Sequence, residues 1–392
     1  MAMTKVKELV KQVRGVSYKP GDLHNELNEN SVILLRANNI DDGQINFDDV
    51  VYVDKSKVSF EQYLKIGDVL ICASSGSKNL VGKAASVRMD KECTFGAFCK
   101  VVRPKEGFED YLGVYFQSPI YRRKISDMAL GANINNIRNE HIDSLDIPVY
   151  SEMEQEDIVK KIHLLQEIIS NRRAELAKLD DLIKARFVEL FGDAVDNPME
   201  WEKKQLQEIV TDDCAISYGI VQTGNDQEEG VPVFRPVDIV NRIPKLEELK
   251  RTTEEISNKY KRTILKGHEM LITVRANIAD TCIVGKEFKG CNVGRGIVPI
   301  RTQENIMVLE FLKYLMDSKH LNDDIKSKAK GITLIQLNME DLREVELIVP
   351  PIEQQKAFVE FAEQVNKSKV AVQKALDETQ LLFDSLMQQY FG

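Results

Sequence analysis

One feature limits what this chain of 392 residues can fold into more than any other: it is written twice. Anchors recur in the same order at an offset close to 200. Gly15 answers to Gly219, and Arg36 in VILLRANNI to Arg235 in VPVFRPVDI. Leu70-Ile71 answers to Leu271-Ile272, Val81-Gly82-Lys83 to Val284-Gly285-Lys286, and Tyr111-Leu112 to Phe311-Leu312. Gly131 answers to Gly331 and Phe191-Gly192 to Phe391-Gly392. A colinear series with so steady an offset marks a duplicated unit rather than two unrelated domains. Each copy has the same plan. Short apolar runs bounded by Gly, Asp and Asn, as in KIGDVLICASSG and KGHEMLITVRAN, read as strands and turns. A short helix follows (YLGVYFQSP, EFLKYLMDSK), then a glycine-containing loop, then a helix far longer than the globular average. The expected class is α+β.

The long helices carry a seam. The first is predicted from Glu154 to Leu190, with apolar residues at Ile158, Ile162, Leu165, Ile169, Leu176, Leu179, Ile183, Phe187 and Leu190. The second is predicted from Glu353 to Tyr390, with Phe358, Ala362, Val365, Val372, Leu376, Phe383, Leu386 and Tyr390. Lys369 and Thr379 fill its gaps. Steps of 3 and 4 are those of a heptad. Gly192 and Gly392 stand where a helix stops, and Pro350-Pro351 where one can start. At 1.5 Å per residue each helix runs about 55 Å, more than one domain can cover. The helices are therefore expected to pair with each other, antiparallel, as a pseudo-two-fold coiled coil. Two similar globular domains, 1–150 and 193–350, each a curved sheet with helices, would be separated by helices in 151–192 and 351–392.

Composition narrows the function. No apolar run reaches the length of a membrane span, and the N-terminus carries no signal-like stretch. The six cysteines form no Cys-x-x-Cys pair, as in a cytoplasmic protein with reduced, buried thiols. The net charge of -9 weighs against tight unspecific binding of nucleic acid by the lone chain. It does not forbid a basic face, since residues 1–150 carry 20 acidic and 20 basic side chains.

Catalytic patterns are missing. The stretch Gly76 to Ala84 has one residue too many for a phosphate loop, and Ala84 stands where Ser or Thr should meet magnesium. The five histidines are scattered, and no nucleophile elbow or glycine-rich cofactor loop occurs. No catalytic residue, metal or bound cofactor is expected. What remains is recognition chemistry in polar loops. The first copy offers Arg36, Asn38, Asn39, Ser74, Ser75, Ser77, Lys78, Asn79, Asn133, Asn135 and Asn136. The second offers Arg235, Arg275, Asn277, Arg295, Thr333 and Gln336. Arg can pair with guanine, and Asn or Gln with adenine, in the major groove. Lys83, Arg122, Arg123, Lys124, Lys326, Lys328 and Lys330 are suited to phosphates.

Four stretches carry a family resemblance. They are Tyr218 to Gly224 with Gly230 to Ile239; Phe191-Gly192-Asp193 with Asn197-Pro198 and Trp201; Gly67 to Leu70 with Gly82-Lys83; and Leu347 to Gln355, leading into the second helix. In these the chain resembles the specificity subunit of type I restriction–modification systems. The first copy departs from the pattern in lacking the double proline, reading Asp146-Ile147-Pro148-Val149 instead. The resemblance implies two target recognition domains, each reading half of a bipartite, asymmetric duplex DNA sequence, spaced by the helices. It implies docking to two modification (methyltransferase) subunits, and through them to restriction subunits. Those partners would bring S-adenosylmethionine, ATP and magnesium. The competing reading is a bivalent protein-binding scaffold with a coiled-coil spacer.

Overall fold

The structure is a computed structural model that describes residues 2–41, 43–77, 79–128, 135–214, 216–239, 244–331 and 335–392. It divides into two compact units. Unit 1 is 1–174 with 373–392, and unit 2 is 175–372. The division cuts each long helix, so each unit owns a globular part and two helix halves.

Unit 1 is built on two four-stranded sheets. In one, Ala84–Ser86, Val69–Cys72, Cys99–Pro104 and Val10–Arg14 lie side by side, all antiparallel. In the other, Ser31–Leu35 runs parallel to Cys93–Phe95 and antiparallel to Val51–Asp54, which pairs with Leu23–His24. Ser31–Leu35 is buried on both faces, which is why it reads as a continuous apolar run rather than an alternation. Helices Glu109–Tyr115 and Pro119–Met128 follow, and Asp146–Val149 closes back on Ala2–Lys5.

Unit 2 repeats this plan. Thr281–Val284, Glu269–Thr273 and Ile297–Ile300 form one sheet. Val231–Phe234 runs parallel to Asn292–Val293 and antiparallel to Arg251–Thr252. Helices Leu309–Asp317 and Lys319–Ser327 follow, and Glu346–Ile348 pairs with Lys203–Gln205. In both units a second short helix fills the stretch between the expected short helix and the glycine-containing loop. Phe116 to Ser118 separate it from the first in unit 1 and Ser318 alone in unit 2, and the residue four after each serine donates its amide to that serine's carbonyl: Arg122 at 3.1 Å and Asn322 at 2.9 Å.

Two of the anchors explain themselves. A Cβ on Gly15 would collide with the backbone of Gly96, and one on Gly219 with the backbone of Val293. There the chain crosses a neighbouring strand end so closely that no side chain fits. One anchor was mispaired. Gly82, in the left-handed region at φ 83°, corresponds to Ala279 at φ 64° and not to Gly285. The amides of Gly82 and Ala279 donate to Cys72 and Thr273, and Lys83 and Asp280 accept from those same residues. Val284 instead matches Val87, whose carbonyl accepts from Gly67 as that of Val284 accepts from His268. A shorter turn in unit 2 displaced the register, and a Val-Gly-Lys repeat concealed it.

The long helices span Glu152–Phe191 and Ile352–Phe391. Within unit 1 Tyr150, just before the first helix, donates to the Tyr390 carbonyl at 3.1 Å, while Arg172 reaches Ala375 and Thr379. Within unit 2 Phe187 packs on Phe358, and Lys369 pairs with Asp180. In each unit the helix halves are thus antiparallel. Ile158, Ile162, Leu165, Ile169, Ile183, Phe187, Phe358, Ala362, Val365, Leu376 and Phe383 are buried as the heptad requires. Leu176, Leu179 and Val372 are only half-buried. At the helix ends the seam moves on by one residue. Met387, Phe191 and Phe391 are buried where Leu386, Leu190 and Tyr390 were expected. The cause is aromatic docking: Phe391 meets Tyr111 and Tyr115 in unit 1, and Phe191 meets Phe311 in unit 2.

Candidate nucleic-acid interface

In each unit a polar loop, the end of a central strand and a tight turn are hydrogen-bonded into one cluster. In unit 1 Ser74–Ser75 pairs antiparallel with Asn135–Asn136, setting Ser74 against Asn136. The amides of Ala73 and Ser74 both donate to the Phe98 carbonyl, at 2.9 and 3.0 Å, and Ile137 donates to Ala73 at 2.8 Å. In unit 2 Arg275 stands against Gln336, to whose side-chain oxygen its guanidinium also donates. Val274 donates to Gly296 at 2.8 Å, and Leu337 to Val274 at 2.9 Å. The bonds of Ala73 and Ile137 recur at Val274 and Leu337, so the positions correspond: Ser74 to Arg275, Asn136 to Gln336, and Ala97-Phe98 to Arg295-Gly296.

The chemistry offered on this shared frame differs. Unit 1 presents a hydroxyl, a carboxamide and a bare aromatic ring, Phe98 being 71% exposed. Unit 2 presents a guanidinium already aligned on a carboxamide, and a second guanidinium on Arg295, which is exposed. Ala276 beside Arg275 adopts φ 61° and Asn277 is exposed. Lys330 exchanges both backbone bonds with Gln336, at 2.9 and 3.0 Å, and joins the cluster. The residues that carry these side chains are thus held in place by backbone bonds.

The other sequence-predicted residues fall elsewhere. Asn39 is 1% exposed. Its side chain accepts from the Arg36 amide at 2.8 Å and donates to the carbonyls of Asn46 and Asp49 at 3.0 Å. It is a frame residue and not a reader. Its counterpart Asp238 likewise accepts from the Arg235 amide at 2.8 Å. Arg36 and Asn38 are both held by Asp49, at 3.0 and 2.8 Å, and Arg235 by Asp238 at 2.6 Å. Hydrogen bonds on both arms of its guanidinium to that carboxylate push the Arg235 pKa up. Ser77 and Asn79 are exposed on the turn after Ser75. Lys83 lies apart from the cluster, in the wall of a cavity with Arg122. Lys78, Asn133 and Thr333 lie outside the described residues, as does the side chain of Asn135. The exposure of Phe98 went unforeseen because a lone aromatic between Ala97 and Cys99 usually reads as core.

Among the described residues one carboxylate–imidazole cluster has the spacing to hold a metal: Asp193, Asp196 and His320. Asp193 also accepts the amides of Val195 and Asp196, at 2.9 and 3.0 Å, so much of its capacity goes into closing the turn after the first long helix. All six cysteines are free and buried. Burial pushes Cys93 and Cys291 up to about 11 and Cys282 up to about 12, which leaves them poor nucleophiles.

Comparison with known proteins agrees with this geometry. Residues 198–379 match the family model described as the type I restriction modification DNA specificity domain. Over 96% of its length the chain is 27% identical to the specificity subunit of the type I restriction enzyme StySPI of Salmonella potsdam, covering 84% of that protein. Along its whole length the chain is thus similar to type I restriction–modification specificity subunits. Recognition of a DNA target is the coarse function that goes with that family. The EcoKI specificity subunit of Escherichia coli strain K12 is 33% identical over 57% of the chain and 50% of that protein. The fold is that of the type I S subunit from M. genitalium, with a TM-score of 0.56 at 14% identity over 100% of this chain and 96% of that one. A chain from a type I assembly, described for complex assembly and conformational transition, aligns with a TM-score of 0.59 at 19% identity, over 99% of this chain and 97% of that one. No helix of the described residues is long and apolar enough to cross a membrane.

Proposed function

We propose that this chain reads a bipartite, asymmetric sequence in duplex DNA, one half with each copy. The readers are residues 1–150 and 193–350, and the helical stretches 151–192 and 351–392 set the distance between them. The observation that carries this reading is the shared frame with unlike donors. Ser74 and Asn136 occupy in one copy the places of Arg275 and Gln336 in the other. Two different base patterns read from equivalent positions would need that arrangement.

In this reading the chain performs no catalysis. The long helices dock two modification subunits in the cytoplasm, and restriction subunits join through these. S-adenosylmethionine, ATP and magnesium belong to those partners. The test is methylome sequencing of a host with and without the gene. The expected result is an adenine-methylated motif in two unlike halves, about one helical turn apart. A single contiguous motif would overturn the reading, as would methyl transfer by the purified chain without a partner. Co-purification of other proteins without any methyltransferase would favour a protein-binding scaffold.

A further inference from the structure

Unit 1 contains a cavity of about 850 Å³. Its walls come from the strands around Ile40 to Ile45, from Lys83 to Arg88, from the helix bearing Arg122, and from both long helices, at 163–173 and 380–383. Among the described residues it is lined by the cations Lys83, Arg88, Arg122 and Arg173 and by the carboxylates Asp41 and Glu167. Lys83 is 4.0 Å from Asp41. Arg122 is braced by the carbonyls of Val81 and Asn79. Arg88 donates to His163 at 2.6 Å. Burial, and then the adjoining guanidinium, hold that imidazole below its usual range, so it takes the bond as a neutral acceptor and leaves the charge of Arg88 uncancelled. Gln117 and Gln166 add carboxamides, joined at 2.7 Å.

The second copy supplies the control. Lys83 corresponds to Asp280 and Arg122 to Asn322 by the backbone bonds given above. Arg88, next after Val87, corresponds to Gly285. The long helices align through Gln155 and Gln355, each donating its amide to the carbonyl five residues before it at 2.8 Å, so His163 corresponds to Glu363. Every one of these positions loses its cationic or imidazole side chain in the second copy, and two become acidic. A surface that met DNA phosphates alike in both copies would not reverse its charge this way.

We propose that this cavity binds a compact polyphosphate, free or as the phosphate chain of a nucleotide. The volume lies in the range of small-ligand sites. Arg groups with several donors each suit phosphate oxygens, and the carboxamides can bond to a base or sugar. The backbone of a duplex is a broad convex ridge, and a recess walled by strands, a short helix and both long helices fits a detached chain better. The inference does not depend on what sequence the chain reads.

The experiment is calorimetric titration of the full chain at fixed ionic strength, with inorganic tripolyphosphate and ATP as the two probes. Both are expected to bind, ATP more tightly. The double variant Lys83→Asp/Arg88→Gly, which installs the second copy's residues, should weaken both by at least about tenfold, and Lys7→Ala should not. If the double variant loses its circular dichroism spectrum, His163→Glu is the substitute, and a loss of affinity is again expected. No binding of either probe by the unaltered chain, or binding that survives these substitutions, would overturn the proposal. So would displacement of ATP by a short duplex in equal stoichiometry, which would assign the cavity to the DNA backbone.

Discussion

Asp68 in unit 1 and Glu269 in unit 2 occupy the same place, and the difference between them shows what the duplication holds constant. Both are buried at the start of a central strand. Each accepts the amide three residues earlier, from Lys65 at 2.9 Å or Lys266 at 2.5 Å. Each pairs with an arginine on the neighbouring strand or just past its end, Arg103 or Arg301. In unit 1 the fork is complete: two guanidinium nitrogens meet two carboxylate oxygens, both at 2.7 Å. In unit 2 the glutamate's extra methylene spoils the fit. One bond of 3.3 Å remains, Glu269 Oε2 has no partner, and Arg301 is shared with Asp213. The position is fixed by the fold, and the quality of the pair is not. The loop clusters show the converse, with identical backbone bonds and unlike side chains.

The largest effect should come from breaking the better of these pairs. Asp68→Asn leaves the part-buried Arg103 beside a neutral group and should destabilise unit 1 by about 3 kcal/mol. Glu269→Gln gives up one long bond and should cost unit 2 about 1–3 kcal/mol. Thiol labelling during denaturant unfolding reads the units separately. Cys72, Cys93 and Cys99 report unit 1, and Cys214, Cys282 and Cys291 report unit 2. Their raised pKa values keep the folded thiols protonated at pH 8, so labelling follows opening. Equal losses in the two units would show that bond geometry is not what separates the pairs.

A comparable effect separates neighbours on the second helix. Met387 is fully buried, while Leu386 is only half-buried. Met387→Ala should cost unit 1 about 2–5 kcal/mol and Leu386→Ala under about 1 kcal/mol. The reverse order would restore the heptad register read from the sequence. The position two hundred residues earlier, Phe187, is buried against Phe311 and Phe358 as the heptad requires, so in the first helix the seam moves on only at Phe191.

Much of the frame was legible in the sequence because it rests on periodicity and on residues with no substitute. Gly15 and Gly219 were readable since backbone fills the space where a side chain would go. The heptads were readable through their middles, where apolar residues face only the other helix. They misled at the ends, where Phe191 and Phe391 turn toward the short helices and drag the register with them. The candidate readers were legible as polar loops and no further. Asn39 and Ser74 are alike on paper. Only the fold shows that one carboxamide is consumed by the backbone and that the other residue stands beside Asn136 at an open loop tip. Phe98 was passed over, and the cavity around Lys83 went unforeseen, for the same reason: position relative to a loop in sequence says nothing of which side of the sheet a residue leaves.

Exchanging loop chemistry tests the frame directly, at a smaller energy. Ser74→Arg with Asn136→Gln gives unit 1 the pair of unit 2. Binding of the native target should weaken by about 1–3 kcal/mol per base pair misread. In the methylome only one half of the motif should change. Loss of both halves would mean that the clusters do not read independently. Removing one heptad from each long helix, about 10 Å, should leave both half-sequences intact and alter only their spacing.

The smallest contrast lies between two polar contacts from helix to helix. Both sit in the gaps of the heptad, at Thr379 and Lys369. In unit 1 Thr379 is buried, donates to the Ala375 carbonyl at 2.8 Å, and takes a bond from Arg172, which also reaches that carbonyl. In unit 2 Lys369 meets Asp180, half of whose side chain is exposed. A charged donor on a half-buried carbonyl is worth about 1.5–3 kcal/mol, whereas an exposed pair is worth about 0–1 kcal/mol and is screened by salt. Arg172→Met should therefore loosen the helix pair of unit 1 by about 1–2 kcal/mol at any ionic strength. Lys369→Met should do almost nothing to unit 2, and nothing at all in high salt. Hydrogen exchange of the amides flanking each site measures both. If Lys369→Met proved the more costly, the ion pair would be setting the helix register, and Thr379 would only be filling space.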